Sequence, residues 1–225
     1  MAANTWAAIL CAAGVTLALI GCDRTSPNRP QTAGAMVRSP ATPSDVIREI
    51  LRVRHASQYS ALSDLVLADR ADDVTRTLVA VDDFLAANQA LCELIRGQVG
   101  PGVSARVDQS HLADHLDVFS RYVELIGEEI TGDRAVVRFT IDGKLPAKSA
   151  ELWRIEARWR YDPGAGYSTE LVAAFEKMTE GLRGLASEFR AGTADVAAFR
   201  DNPDKLVDEV RLRLAPGVRL FPAKP

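Results

Sequence analysis

Residues 151–161 read Glu151-Leu152-Trp153-Arg154-Ile155-Glu156-Ala157-Arg158-Trp159-Arg160-Tyr161 and show the clearest alternation of apolar and charged residues in the chain. A period of two is typical of a β-strand with one buried face and one polar face. We therefore expect one continuous strand over 151–161. Its buried face would carry Trp153, Ile155, Ala157, Trp159 and Tyr161, and its polar face Arg154, Glu156, Arg158 and Arg160.

Two further strand-like segments precede this stretch, at 122–131 and 134–142. Gly132-Asp133 separates them, and Asp142-Gly143 follows the second, and both pairs are typical of tight turns. Ala135, Val137, Phe139 and Ile141 alternate with more polar residues in the second segment. The three segments together predict an antiparallel meander with one buried face.

Helical periodicity surrounds the predicted sheet. A helix is predicted to begin at Pro43, with Thr42 as its N-cap. A long apolar stripe with helical spacing runs from Asp72 to Gly97. Helical spacing returns from Thr169 to Gly192, and Asn202-Pro203 begins a last helix. We expect an α+β fold in which helices pack on a curved antiparallel meander sheet, with a helical C-terminal section. The predicted single domain covers 43–215, divided into a body at 43–168 and a helical extension at 169–215, with a tail at 216–225.

The N-terminal segment is apolar and uncharged from Trp6 to Gly21, which is the length of a signal-peptide core. It ends in Leu19-Ile20-Gly21-Cys22, which resembles the bacterial lipobox. The resemblance implies that 1–21 are a lipoprotein signal peptide and that Cys22 carries diacylglycerol. Residues 1–5 contain no Lys or Arg, so an uncleaved N-terminal membrane helix and an ordinary cleavage site remain as alternatives.

Residues 22–42 are rich in Pro, Ser, Thr and other polar residues, and they predict a disordered tether that holds the body away from the bilayer. Acyl chains on Cys22 would attach the protein to a bacterial membrane, with the body outside the cytoplasm. Asp23 follows Cys22 directly. In lipoproteins of enteric-type bacteria an aspartate there is associated with retention in the inner membrane, which favours the inner over the outer membrane.

The body resembles the nuclear transport factor 2-like α+β fold, in which helices pack into a curved antiparallel sheet and form a cone. The segments that carry this resemblance are Gly132 to Phe139 and Leu152 to Asp162, with Pro43 to Val66 as the opening helices. The long helix from Asp72 to Arg96 and the helices after Tyr167 depart from that pattern. The cone occurs in enzymes, binding modules and inert scaffolds, so the resemblance implies no particular function.

Four groups of residues are candidates for a site. His111 and His115 stand four apart, which is a metal-ligand spacing on a helix, although solvated histidines give the same pattern. Asn88 lies inside the apolar stripe of the long helix, and we expect it to bond to the facing sheet or to line a pocket. Trp153 and Trp159 belong to the core, or to pocket walls if the cone is open. The polar face of the predicted sheet carries Arg138, Arg154, Arg158 and Arg160. These arginines either form cross-strand ion pairs or bind an anion or a partner.

Net charge, cysteine content and the absence of cofactor motifs limit the classes of function that the sequence supports. The formal net charge of the 225 residues is −3, which does not favour nucleic acid as a partner. Cys92 would be the one thiol left in the mature body, at an apolar position of the long helix, and we expect it to be buried and structural. No phosphate loop or other cofactor motif is present, so no cofactor is expected. We expect a non-catalytic interaction or small-ligand-binding module. An enzyme with a His/carboxylate pocket and a structural envelope protein are the alternatives.

Overall fold

The computed structural model describes residues 40–113, 116–120 and 122–221. The predicted signal peptide, Cys22, most of the predicted tether, His115 and the last four residues lie outside the described residues. The α-helices are α1 (Pro43–His55), α2 (Ala71–Gln98), α3 (Pro101–Val107), α4 (Thr169–Ala191), α5 (Val196–Asp201) and α6 (Pro203–Val218). The strands are β1 (Val123–Thr131), β2 (Arg134–Ile141), β3 (Lys144–Ile155) and β4 (Arg158–Asp162). Four short 3-10 helices lie at Tyr59–Asp64, Ser110–Ala113, Asp117–Phe119 and Gly164–Gly166.

The α+β prediction is confirmed. The strands form one open antiparallel sheet in the order β1-β2-β3-β4, and the C-terminal section is helical. The inner face of the sheet packs against α1, while α4 packs on both α2 and α6. A continuous cluster of buried side chains joins these elements.

The prediction of one strand over 151–161 is wrong, because the chain reverses within it. Glu156 and Ala157 have positive φ angles of 52° and 63°, and they form a two-residue turn between β3 and β4. Ile155 therefore pairs with Arg158, and Arg154 with Trp159. The turn shifts the period by one residue, so the side chains before it lie on the opposite face from the one expected. Ala150 and Leu152 are buried, whereas Trp153 and Ile155 point to the outer face.

Three other predicted boundaries change. The helix that the spacing of His111 and His115 would require is replaced, among the described residues, by two 3-10 helices. A separate helix, α3, begins at Pro101, shortly after the predicted apolar stripe ends at Gly97. Helix α6 continues through Pro216 to Val218, beyond the predicted end at residue 215. Proline in a helix leaves the carbonyl four residues earlier without its donor. Here that carbonyl belongs to Leu212, which is exposed, so water can satisfy it.

The start of α1 is fixed by its cap and by the sheet. Thr42 Oγ1 accepts a hydrogen bond from Asp45 N, and the Asp45 carboxylate accepts one from Thr42 N, both at 3.2 Å. This reciprocal pair satisfies two backbone donors that the helix leaves free. The side chain of Glu128 in β1 accepts a third, from Ser44 N at 2.8 Å. The first turn of α1 is thus attached to β1.

Helices α4 and α6 approach closely at two glycines. A Cβ atom at Gly181 would lie 2.4 Å from the carbonyl oxygen of Arg213, and one at Gly217 would lie 2.5 Å from that of Ala174. Only a residue without a side chain permits these backbone contacts. No helix among the described residues combines the length and apolar character needed to cross a bilayer.

Candidate functional site

A groove with a volume of about 800 Å³ lies over the middle of α2. The C-terminal end of α1 borders one side and the loop after α3 borders the other. The lining is mostly polar and consists of Arg54, His55, Ser57, Asp82, Leu85, Ala86, Asn88, Gln89, Cys92, Glu93, Arg96, Asp108 and Ser110.

A buried ion pair forms one wall of this groove. Arg54 is 6% exposed and extends from α1 to Asp82 of α2. Its two terminal nitrogens donate to the two carboxylate oxygens, each at 2.6 Å, in a bidentate arrangement. Tyr59 joins the pair, since its hydroxyl accepts from Arg54 and donates to Asp82. No acceptor among the described residues bonds to Arg54 Nε.

The protonation of this wall follows from its geometry. Burial by itself would lower the pKa of Arg54, but the hydrogen bond and charge of Asp82, together with Tyr59, outweigh it, and the pKa is raised. The pKa of Tyr59 is also raised, first by burial and then by its hydrogen bond to Asp82. Arg54 is therefore charged and Tyr59 protonated near neutral pH.

Asn88 holds the opposite wall in place. It is 4% exposed, and its Nδ2 donates to Asp108 Oδ1 at 2.7 Å while its Oδ1 accepts from Gln109 N at 3.1 Å. The same carboxylate oxygen accepts from Ser110 N at 2.8 Å. Burial opposes the charge of Asp108, but these hydrogen bonds outweigh that effect and lower its pKa. The expected bond from Asn88 to the sheet is not formed, because the loop after α3 lies over this part of α2 instead.

Cys92 lies at the floor of the groove and is buried, as the sequence predicts. Its carbonyl oxygen accepts from Ser104 Oγ at 2.8 Å, which fastens α3 to α2. Burial raises the pKa of the thiol, and the charge of Asp108 raises it further. A protonated thiol in this environment is a packing group rather than a nucleophile.

The candidate metal pair is only half described. His111 is exposed in the 3-10 helix Ser110–Ala113, outside the groove lining, and His115 lies outside the described residues. Within the described ranges, no cluster of three His, Cys, Asp or Glu side chains is arranged to hold a metal ion. His55, which the sequence did not single out, borders the groove.

The two tryptophans do not share a pocket. Trp159 is buried on the inner face of the sheet, and the guanidinium of Arg154 stacks on its ring with a 4.5 Å separation. Trp153 is 38% exposed on the outer face. The β3–β4 turn is the physical reason, since it places Trp153 opposite Arg160 and not on the side of Trp159.

The same turn divides the four arginines expected on one face. Arg138, Arg158 and Arg160 belong to the outer face, while Arg154 lies on the inner face beside Trp159. Arg160 already has a partner within the protein, because its Nη1 donates to the carbonyl oxygen of Ser63 at 3.0 Å. A four-arginine strip is therefore not formed.

Sequence reasoning missed Arg54, Asp82 and Asp108 as groove residues. A signal existed for the first, because Arg54 continues the apolar spacing of Val46, Ile47 and Ile50 in α1. A charged residue at a buried helix position requires an opposite charge. Nothing local identifies that partner, which is 28 residues away.

Comparison with known proteins gives no match: no family model, no curated protein and no solved structure is significantly similar to this chain. The resemblance to the nuclear transport factor 2-like fold stays a prediction.

Proposed function

We propose that this protein is a membrane-anchored bacterial envelope lipoprotein whose body binds a small polar ligand, without catalysis, in the groove over α2. The single observation that supports ligand binding is the groove itself, which has about 800 Å³ of space and is lined mainly by polar residues. Ligand pockets of folded proteins have volumes of this order. The Arg54–Asp82 pair and the Asn88–Asp108 bond hold the two walls in position before any ligand arrives.

The lining indicates what kind of molecule fits. Acceptors are provided by Asp82, Glu93 and Asp108, and donors by Gln89, Arg96 and Ser110. Leu85 and Ala86 supply a small apolar strip between them. A molecule with several hydroxyl, amide or amine groups would replace the hydrogen bonds that water makes there, whereas an acyl chain would not.

A catalytic role has less support. A general acid or base in the groove would have to be the exposed His55 or one of the lining carboxylates. Of these carboxylates, Asp82 already accepts from Arg54 and Asp108 from Asn88. The Cys92 thiol is protonated and already packed.

The anchoring part of the proposal is supported by Leu19-Ile20-Gly21-Cys22 and the polar segment that follows. Mass spectrometry of protein purified from bacterial membranes tests it. We expect an N-terminus at Cys22 that carries acyl chains, and we expect Cys22→Ala to retain its leader and lose the acyl mass. An intact Met1 terminus on the wild-type protein would refute the lipid anchor at Cys22.

Native mass spectrometry tests ligand binding on the same preparation. We expect the wild-type protein to show the added mass of a bound small molecule. Ala86→Trp should lack this added mass, because the new indole fills the groove. Ala105→Trp is the matched control, because Ala105 is also exposed on a helix but lies outside the groove lining. Equal occupancy of the two variants, or no bound molecule in the wild type, would contradict a ligand in this groove.

A further inference from the structure

The outer face of the sheet carries an apolar and basic patch at one end. The β1–β2 turn at Gly132-Asp133 and the β3–β4 turn at Glu156-Ala157 lie at the same end of the sheet, because β1 to β4 form a simple meander. Beside these turns, the outer face presents four side chains, which we call the hairpin-end patch: Arg134, Trp153, Ile155 and Arg158.

The apolar part of this patch is exposed in the body. Trp153 is 38% exposed and Ile155 is 43% exposed, and they lie two positions apart on one strand face. Arg134 is the cross-strand partner of Trp153, and Arg158 is that of Ile155. Tryptophan next to arginine is the composition that proteins place at membrane interfaces, where the ring lies among headgroups and the guanidinium binds phosphate.

The charges near the patch are nearly balanced. Arg134 pairs with Glu151 at 2.5 Å, and Asp133 and Glu156 occupy the two turns. Arg158 makes no hydrogen bond or ion pair with any described side chain, so its guanidinium is available to a lipid phosphate. Insertion of Trp153 and Ile155 would therefore supply most of the binding, and anionic lipid would add a smaller electrostatic contribution.

The described chain enters α1 near this end of the sheet. Ser44 N bonds to Glu128 near the end of β1, at 2.8 Å. Glu128 lies three residues before Thr131, which is about 10 Å along an extended strand. In the sequence, residues 23–39 lie between Cys22 and the described body.

We propose that the hairpin-end patch binds the surface of the bilayer that holds the acylated Cys22. This inference rests on the proposed lipid anchor, which keeps the patch at a high effective concentration near lipid and allows a weak contact to persist. The contact orients the body with its two β-turns toward the membrane.

Quenching by brominated lipid tests this orientation. The acylated full chain is reconstituted in vesicles of phosphatidylethanolamine and phosphatidylglycerol in equal parts, with or without bromine on the acyl chains. The emission of wild type minus that of Trp153→Phe isolates the signal of Trp153, which is an exposed residue whose conservative replacement leaves the core intact. We expect brominated vesicles to reduce this signal by about half.

Ile155→Asp is expected to abolish most of that quenching, because it places a carboxylate where the patch enters the headgroups. Leu212→Asp is the matched control, since Leu212 is an exposed leucine on α6, away from the sheet, and it should leave the quenching unchanged. Equal quenching in the two variants would overturn the proposal.

The remaining outcomes are distinguishable. If the intact mass shows acylated Cys22 but Trp153 emission is the same with and without bromine, the patch proposal fails while the anchor stands. A shift of Trp153 emission to shorter wavelength without quenching would place a protein, or a second copy of this chain, on the patch, and would also overturn it. An unacylated chain would remove the anchor and this inference together.

Discussion

Arg54 shows how a single residue connects burial, charge and the groove. It lies on the apolar side of α1, and its guanidinium is almost fully removed from water. Such a charge is tolerated only with a well-placed partner, which Asp82 provides through both of its oxygens. The pair therefore fixes the distance between α1 and α2 at the wall of the groove.

Removal of the partner should be costly. We expect Asp82→Ala to lower the free energy of unfolding by about 3 kcal/mol, because it leaves the buried Arg54 charge without a counter-ion. Chemical denaturation followed by circular dichroism measures this change. Asp83→Ala is the control: Asp83 is exposed and lies 3.6 Å from an equally exposed Arg183, so a loss of no more than about 0.5 kcal/mol is expected. Similar losses in both variants would show that Arg54 does not depend on Asp82.

The β3–β4 hairpin is the element in which local sequence and conformation disagree most. A two-residue turn with both φ angles positive favours Asn-Gly or Asp-Gly, yet the chain has Glu156-Ala157. Residues with a Cβ atom are strained in this region. Because the turn residues also fit the alternation of a strand, the sequence pattern continues across them without a break.

Replacement of the turn should relieve this strain. We expect Glu156→Asn with Ala157→Gly to raise the free energy of unfolding by about 1 kcal/mol. Thermal and chemical denaturation measure the gain. Ala165→Gly serves as the control, since Ala165 is exposed and lies outside the left-handed region, and it should bring no gain. A destabilised double variant would mean that the reversal of the chain is not at Glu156-Ala157.

At the scale of the whole molecule, the C-terminal helices and the sheet share one core. Leu206, Val210 and Leu214 of α6 are buried, and their cluster continues through α4 and α2 to Trp159 on the sheet. A cluster without a break predicts cooperative unfolding of the described body.

A smaller side chain in the buried face of α6 should therefore destabilise the sheet as well as the helices. In a Trp153→Phe background, we expect Leu206→Ala to lower the free energy of unfolding by about 3 kcal/mol. The transition followed by Trp159 fluorescence should shift by the same amount as that followed by helical circular dichroism. Leu212→Ala on the same helix removes an exposed leucine, 66% accessible, and should change stability by no more than about 0.5 kcal/mol. Separate transitions for the two probes would indicate that α6 and the sheet unfold independently.

The parts of this fold that sequence predicts well are those controlled by neighbouring residues. The Thr42–Pro43 cap, the long period of α2 and the end of α4 at Gly192 were all visible in the chain. Gly192 adopts a φ of 70°, which is the glycine-favouring conformation that a helix end requires. For the site, the sequence marked Asn88 as a buried polar residue but did not identify its partner.

By itself, then, the sequence determined the α+β class, the long helices α1, α2, α4 and α6, and the first hairpin. Hydrophobic periodicity, helix caps and Gly-containing turns depend on residues that are close together in the chain. Only the tertiary structure decided which side of β3 is buried, which carboxylate meets Arg54 and which loop covers Asn88. Each of these depends on contacts between residues distant in the chain. Their free energy comes from burial and pairing, which no local pattern records.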